Sequence, residues 1–287
     1  MLRLAIRVRR EDAELVLAEL LELAPSGVEE VELGEEIEYA VYGAPGELPA
    51  LPDLRAAAGA ALVDVSTREI ADDWAERWRE FHRPLVLDGE LTVRPPWEPA
   101  GSTPTDVVID PGQAFGTGAH ASTRLCLELI LELAVSEPER GAAPAPPGAH
   151  GSAVDLGCGS GVLAIVAARL GWGPVAAVDH DPASVEAARS NARANGVALE
   201  VWRLDLRSDP LPAAQTVLAN LLSPLLIACA PRIAALRPRH VIASGILVHE
   251  ADEVAEAFAT SGMTVARRRV RGEWAALLLD RRPLAPL

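Results

Sequence analysis

Three glycines, at 157, 159 and 161, stand between the strand-like run Val154-Asp155-Leu156 and the apolar run Val162-Leu163-Ala164-Ile165-Val166-Ala167-Ala168. That spacing reads as a buried strand, a glycine loop and a helix, and it points to a nucleotide-like cofactor. Glycine leaves no side chain between backbone and ligand, and the first amide N–H groups of the helix face the loop. Asp179 then closes the run Pro174-Val175-Ala176-Ala177-Val178. An acidic residue at the tip of the second strand of a doubly wound sheet is where a ribose diol is held. The spacing also excludes a cofactor class. A dinucleotide fingerprint requires glycine or alanine three positions after its second glycine, and Val162 stands there. A tight strand-to-helix turn without ligand is the competing explanation. Asp155 before the loop and Asp179 after it weigh against it.

What remains is a G-x-G-x-G loop, which resembles the S-adenosylmethionine loop of class I methyltransferases, where no pyrophosphate has to be seated. Ala219-Asn220-Leu221 ends the expected fourth strand of the same sheet, so Asn220 lies over the carboxyl edge where a transferred group would sit. Methyl transfer to nitrogen needs little acid or base strength, but the amine must be neutral and its lone pair aimed. A neutral amide oxygen accepts an N–H without stabilising the protonated amine as a carboxylate would. Asparagine at a strand end is also a frequent turn former. The glycine-rich segment Asp110 to Thr123 follows the strand Val107-Val108-Ile109 and precedes a helix from Arg124 to Leu133, which makes it a candidate cofactor lid. Ser122 or Thr123 would equally suit the N-cap of that helix with no ligand involved.

The elements that must position these residues follow from periodicity. From residue 153 onward, apolar strands at 153–156, 175–178, 199–204, 215–219 and 240–243 alternate with helices near 162–170, 182–195, 222–236 and 250–261. That rhythm implies a mostly parallel, doubly wound α/β sheet. Met263 to Val270 and Glu273 to Leu279 form a terminal hairpin, similar to the antiparallel edge of class I methyltransferases. Arg267-Arg268-Arg269 on it suits either an acidic partner or a solvated strand face. Ahead of this, strands at 2–8, 28–33, 37–42 and 61–65 and helices at 13–23 and 54–60 give the order βαββαβ. This suggests a small ferredoxin-like α+β domain over residues 1–68. Residues 69–89 form a connector whose helix carries Trp74, Trp78 and Phe81 on one face, as core packing would require. Residues 90–287 form the cofactor domain, interrupted at 141–151 by an Ala/Pro/Gly tract that reads as a mobile loop.

Composition narrows the partners. With 287 residues, 49% of them hydrophobic, the chain has room for about two domains and a substantial core. A net charge of −15 disfavours non-specific attraction to nucleic acid or anionic membrane and suits a basic protein partner. All 26 basic residues are arginine, a bias explained by a GC-rich genome, although an enzyme that modifies lysine also gains by not modifying itself. Cys126, Cys158 and Cys229 are too far apart for a metal or redox motif and are odd in number, and no signal segment or membrane-length apolar run stands out, which points to a cytoplasmic protein. His180 and His249 lack metal-ligand spacing, so no metal is expected. A monomer is the expected state.

Asp110-Pro111-Gly112 with Phe115-Gly116-Thr117-Gly118 and His120, Asp155 to Gly161, Asn220-Leu221 with Pro224-Leu225, and Ser244-Gly245-Ile246-Leu247 together resemble the ribosomal protein L11 methyltransferase family. Asp73-Trp74, Pro95-Pro96-Trp97 and Gly272-Glu273-Trp274 extend the resemblance over nearly the whole chain. It implies S-adenosylmethionine as cofactor and methylation of a large-subunit ribosomal protein on its N-terminal amine and lysine side chains. By position, the family's cofactor contacts fall on Thr123, Gly157, Asp179 and Asn220; the loop glycine Gly159 joins them, and Asn220 is the expected catalytic residue. The N-terminal domain, which the family uses to grip its substrate, matches only in pattern. His120 reads as a hydrogen-bonding spacer rather than a base, and Asp205 as a candidate acceptor for the adenine amino group. The competing functions are methylation of another protein's lysines or of a small amine, and a module that binds S-adenosylmethionine without turnover. Asn220 at the reacting edge argues against the last.

Overall fold

In the computed structural model the chain divides into two compact units, Met1–Phe81 and His82–Leu287. The structure describes residues 2–13, 16, 20, 29–43, 48, 54, 58–69, 83–111, 120–135, 146 and 148–281. The aromatic connector, most of the expected N-terminal helices, lid residues 112–119 and most of the 141–151 tract lie outside the described residues.

In the first unit, β1 (Leu2–Arg9), β2 (Glu29–Leu33), β3 (Glu36–Gly43) and β4 (Leu62–Glu69) form one sheet in the order β2-β3-β1-β4, with every neighbouring pair antiparallel. This is the strand order of a ferredoxin-like sheet. β1 alternates because one face is dry: Leu4, Ile6 and Val8 are buried with Ile37, Tyr39, Val16, Leu20 and Leu54, while Arg3 pairs with Glu38 at 2.8 Å on the wetter face.

The second unit begins with a three-stranded sheet, of which the sequence announces only the last strand, near Val107-Val108-Ile109. β5 (Leu85–Leu87) pairs antiparallel with β6 (Leu91–Arg94), which pairs in parallel with β7 (Thr105–Val108). Arg94 grips Asp106 across the parallel pair through Nη2 to Oδ2 at 2.7 Å and Nε to Oδ1 at 3.0 Å, and this guanidinium holds the Asp106 carboxyl below its ordinary value. After α1 (Ala121–Val135), strands and helices alternate: β8 (Ala153–Leu156), α2 (Val162–Arg169), β9 (Val175–Asp179), α3 (Pro182–Ala194), β10 (Glu200–Arg203), β11 (Thr216–Asn220), α4 (Ser223–Ala235), β12 (His240–Leu247), α5 (Ala251–Ala259), β13 (Met263–Arg271) and β14 (Trp274–Arg281).

Strands β8 to β14 assemble into a seven-stranded sheet ordered β10-β9-β8-β11-β12-β14-β13, parallel through β12 and antiparallel across β14 and β13. The core strands are apolar on both faces because both are covered. Leu218 packs into the layer of α1, α2 and α3, whereas its neighbours Val217 and Ala219 pack into the layer of α4 and α5. Strand order reverses between β8 and β11, and ligands of such sheets bind at the carboxyl ends flanking that switch point. Both the glycine loop after β8 and Asn220 at the end of β11 stand there.

Candidate cofactor and transfer site

The glycine loop is shaped first by backbone geometry. Gly157, Gly159 and Gly161 have φ of 73°, 51° and 81°, a region that side chains disfavour. Two also sit against protein: a Cβ on Gly157 would lie 2.4 Å from Leu221 Cδ2, and one on Gly161 3.0 Å from Ala188 Cβ on α3. Close packing of loop and helix therefore accounts for Gly161, which sequence logic assigned to ligand approach.

Asp179 ends β9 and is buried. Its Oδ2 accepts the Gly159 N–H at 2.9 Å and its Oδ1 the Asp181 N–H at 3.0 Å, so one carboxylate joins the glycine loop to the start of α3. Asp181 caps α3 in turn, accepting from the N–H groups of Ala183 and Ser184. Asp155 is only 1% exposed. Its Oδ2 accepts the Ala164 N–H at 3.2 Å, while Oδ1 has no partner among the described residues. Burial, reinforced by the nearby Asp179 charge, pushes the Asp155 carboxyl up to about 7. The same burial raises all three thiols, at Cys126, Cys158 and Cys229, which removes them as nucleophiles near neutral pH.

Two residues that sequence reasoning missed tie the lid root to this loop. Asn191 on α3 accepts the Asp110 N–H at 3.0 Å and donates to the Ser160 carbonyl at 2.9 Å. One turn later, Asn195 exchanges two hydrogen bonds with the Val108 backbone, at 2.8 and 2.6 Å. The signal was present as amides spaced i, i+4 at the end of a helix whose buried face is otherwise small and apolar.

Asn220 lies across the switch point. Its Nδ2 donates to Thr123 Oγ1 at 3.1 Å, and it lines a cavity of about 680 Å³ together with His120, Ser122, Leu221, Leu222, Pro224, Leu225 and Trp274. Among the described residues that line this cavity, Arg207 is the one that carries a charge. The floor depends on a β-bulge in β12 between Ser244 and Ile246: Gly245 at φ 81° brings its Cα so near Leu221 that a Cβ would sit 2.5 Å from the Leu221 carbonyl oxygen.

The helix cap differs from expectation. α1 starts at Ala121, and the His120 carbonyl accepts the Arg124 N–H at 3.0 Å, which makes His120 the cap and places Ser122 and Thr123 inside the first turn. His120 Nδ1 takes the Ser122 N–H at 3.3 Å, its ring meets Trp274 edge-on at 4.7 Å, and burial lowers its pKa, so it stays neutral. Nδ1 also lies 2.8 Å from Ser122 Oγ, so both contacts engage it within the first turn of α1. Asp205 stands exposed after β10, with Oδ1 accepting the Arg207 N–H at 2.9 Å. The β13 arginines are met internally: Arg267 and Arg269 bind Glu132 at 3.0 and 2.9 Å, Arg271 reaches Glu128 at 3.6 Å, and Arg268 pairs with Asp252. Among the described residues, no group of three or more His, Cys, Asp or Glu side chains is arranged to hold a metal ion, and no helix is long and apolar enough to cross a membrane.

Strand order, glycine loop and switch-point crevice define a class I methyltransferase. Residues 51–282 match the family model described as ribosomal protein L11 methyltransferase (PrmA). A protein of that name from Pelotomaculum thermopropionicum is 41% identical over 220 residues, covering 74% of this chain and 67% of its own. Another, from Geobacter sulfurreducens, is 38% identical over 234 residues, covering 79% and 73%. The crystal structure of a ribosomal protein L11 methylase from Lactobacillus delbrueckii subsp. bulgaricus superposes with a TM-score of 0.59 at 27% identity, covering 70% of this chain and all of that one. The chain belongs to the ribosomal protein L11 methyltransferase family. It spans about two thirds of the length of several of these relatives.

Proposed function

We propose that this protein methylates nitrogen atoms of ribosomal protein L11, at the N-terminal amine and at lysine side chains, with S-adenosylmethionine as methyl donor. The residues suit that cofactor, which carries net positive charge and a ribose diol. Asp155 offers a buried carboxyl oxygen without a partner among the described residues, and Asp179 a carboxylate at the strand tip. Thr123, Gly157, Gly159, Asp179 and Asn220 would hold the cofactor, whose sulfonium supplies an activated methyl group. Residues 1–68 would grip the basic substrate, residues 69–89 connect, and residues 90–287 carry out the transfer. The chain's charge of −15 favours encounter with a basic protein over nucleic acid.

The amide of Asn220 carries the assignment of nitrogen chemistry. With Nδ2 committed to Thr123, Oδ1 is the end left to accept an amine N–H at the cavity wall. A neutral acceptor orients the amine's lone pair without favouring its protonated form. Leu221, Leu222 and Trp274 reduce water around it, which further disfavours an ammonium. Asn220→Ala and Asn220→Asp are both expected to slow single-turnover methylation of ribosomal protein L11 by about 100-fold. The Asp variant should recover partly between about pH 7 and 10 as the amine loses its proton, and the Ala variant less. Near-normal turnover in both variants would make Asn220 a turn residue with no part in the transfer.

A further inference from the structure

Asparagine presents a donor at one end of its amide and an acceptor at the other, and the two ends are nearly equal in shape. An amine N–H is received by the oxygen and repelled by the NH₂ group, so a site built on Asn220 works only if the amide is held in place. We infer that Thr123 is the positioning residue that holds it. This rests on the role given to Asn220 above and extends Thr123 beyond any contact with the cofactor.

Thr123 is 1% exposed, in the first turn of α1, and its Oγ1 accepts the Asn220 Nδ2 hydrogen at 3.1 Å. Their meeting is fixed from both sides through one buried serine. Ser244 stands opposite Asn220 in the register of β11 with β12, and its backbone carbonyl accepts the Leu221 N–H at 2.9 Å. Its hydroxyl lies 3.0 Å from the Ser122 carbonyl, the residue beside Thr123, and 3.1 Å from the Ala275 carbonyl. The strand end bearing the amide and the helix turn bearing the hydroxyl are thus anchored to the same residue. Removing the Thr123 hydroxyl would lose the only hydrogen bond that Nδ2 makes among the described residues and free the amide to turn its NH₂ toward the cavity.

Thr123→Val keeps the shape of the side chain and removes the acceptor, while Thr123→Ser restores it. At saturating S-adenosylmethionine, single-turnover methylation of ribosomal protein L11 should fall by about 10- to 100-fold in Thr123→Val, with Thr123→Ser within about 3-fold of the parent. KM for the protein substrate should change much less than the rate. The double variant Thr123→Val with Asn220→Ala should be no slower than Asn220→Ala alone, because both substitutions remove the same oriented oxygen. In the protein without cofactor, the Asn220 side-chain NH₂ resonances, assigned by their loss in Asn220→Ala, should shift and exchange faster in Thr123→Val. A Thr123→Val defect that vanishes at saturating cofactor, or double-variant losses that multiply, would overturn the inference and leave Thr123 a cofactor contact or a packing residue. A near-normal Asn220→Ala rate would instead refute the role of Asn220 itself.

Discussion

Asp155→Asn should make the protein more stable, and only toward alkaline pH. The substitution preserves shape and keeps an oxygen for the Ala164 N–H, but removes a carboxyl that burial drives from an ordinary 3.8 to about 7. Folding therefore takes up a proton between those values. The associated stability is complete below 3.8 and is lost as pH rises to about 7, above which the folded chain carries a buried charge with one bare oxygen. At about 1.4 kcal/mol per pH unit the whole effect is on the order of 4 kcal/mol, of which about 3 falls between pH 5 and 8. For a unit of this size, about 2–4 °C per kcal/mol makes this roughly 6–12 °C in Tm. Calorimetric melts of the cofactor-free parent and variant across that range are the assay. The parent's second-unit transition should drop relative to the variant's as pH rises. Parallel pH profiles would show that Asp155 is not held protonated, and that its free oxygen is satisfied in solution.

Three further outcomes are expected. Asp179→Ala should weaken S-adenosylmethionine binding by about 1–3 kcal/mol in calorimetric titration, since it removes a charged acceptor and releases the Gly159 N–H; an unchanged Kd would take Asp179 out of the site. Removal of residues 1–81, the first compact unit, should leave cofactor binding intact and abolish methylation of ribosomal protein L11, and full-rate methylation would refute the division of labour. Gly245→Ala should cost on the order of 2–4 kcal/mol in chemical denaturation, because its φ is positive and the new Cβ would meet the Leu221 carbonyl at 2.5 Å; a loss below about 1 kcal/mol would mean that the bulge relaxes freely.

The large sheet was legible because its central strands are covered on both faces and announce themselves as short apolar runs between helices of distinct period. Asp179 and Asn220 could be assigned to strand ends for the same reason. Of the sheet of β5, β6 and β7 only the last strand was legible, as Val107-Val108-Ile109: the others are three or four residues long, too short for alternation to register, and Arg94–Asp106 joins positions that only folding brings together. The cap of α1 was misjudged because a histidine, a weak cap former by propensity, outcompetes Ser122 when its ring is packed on Trp274. Thr123 and Asn220 were each singled out by sequence, but the bond between them was not. It depends on Ser244, far from both in the chain, and no local pattern encodes a hydroxyl that spans two elements.

The arginines of β13 have a consequence for how the sheet ends. β13 is an outer strand, with a row of backbone donors and acceptors turned away from β14 and open to further pairing. Arg267, Arg269 and Arg271 lean to one face toward α1, and Arg268 to the other toward α5. A foreign strand adding here would have to lay its side chains beside guanidinium groups on both faces and strip water from them. Glu132 and Glu128 hold the arginines in place without cancelling that barrier, because the arginine side chains themselves stay 43 to 64% exposed. Among the described residues the sheet thus ends at β13 behind a row of charge, guarded against the fibrous growth that open edges invite.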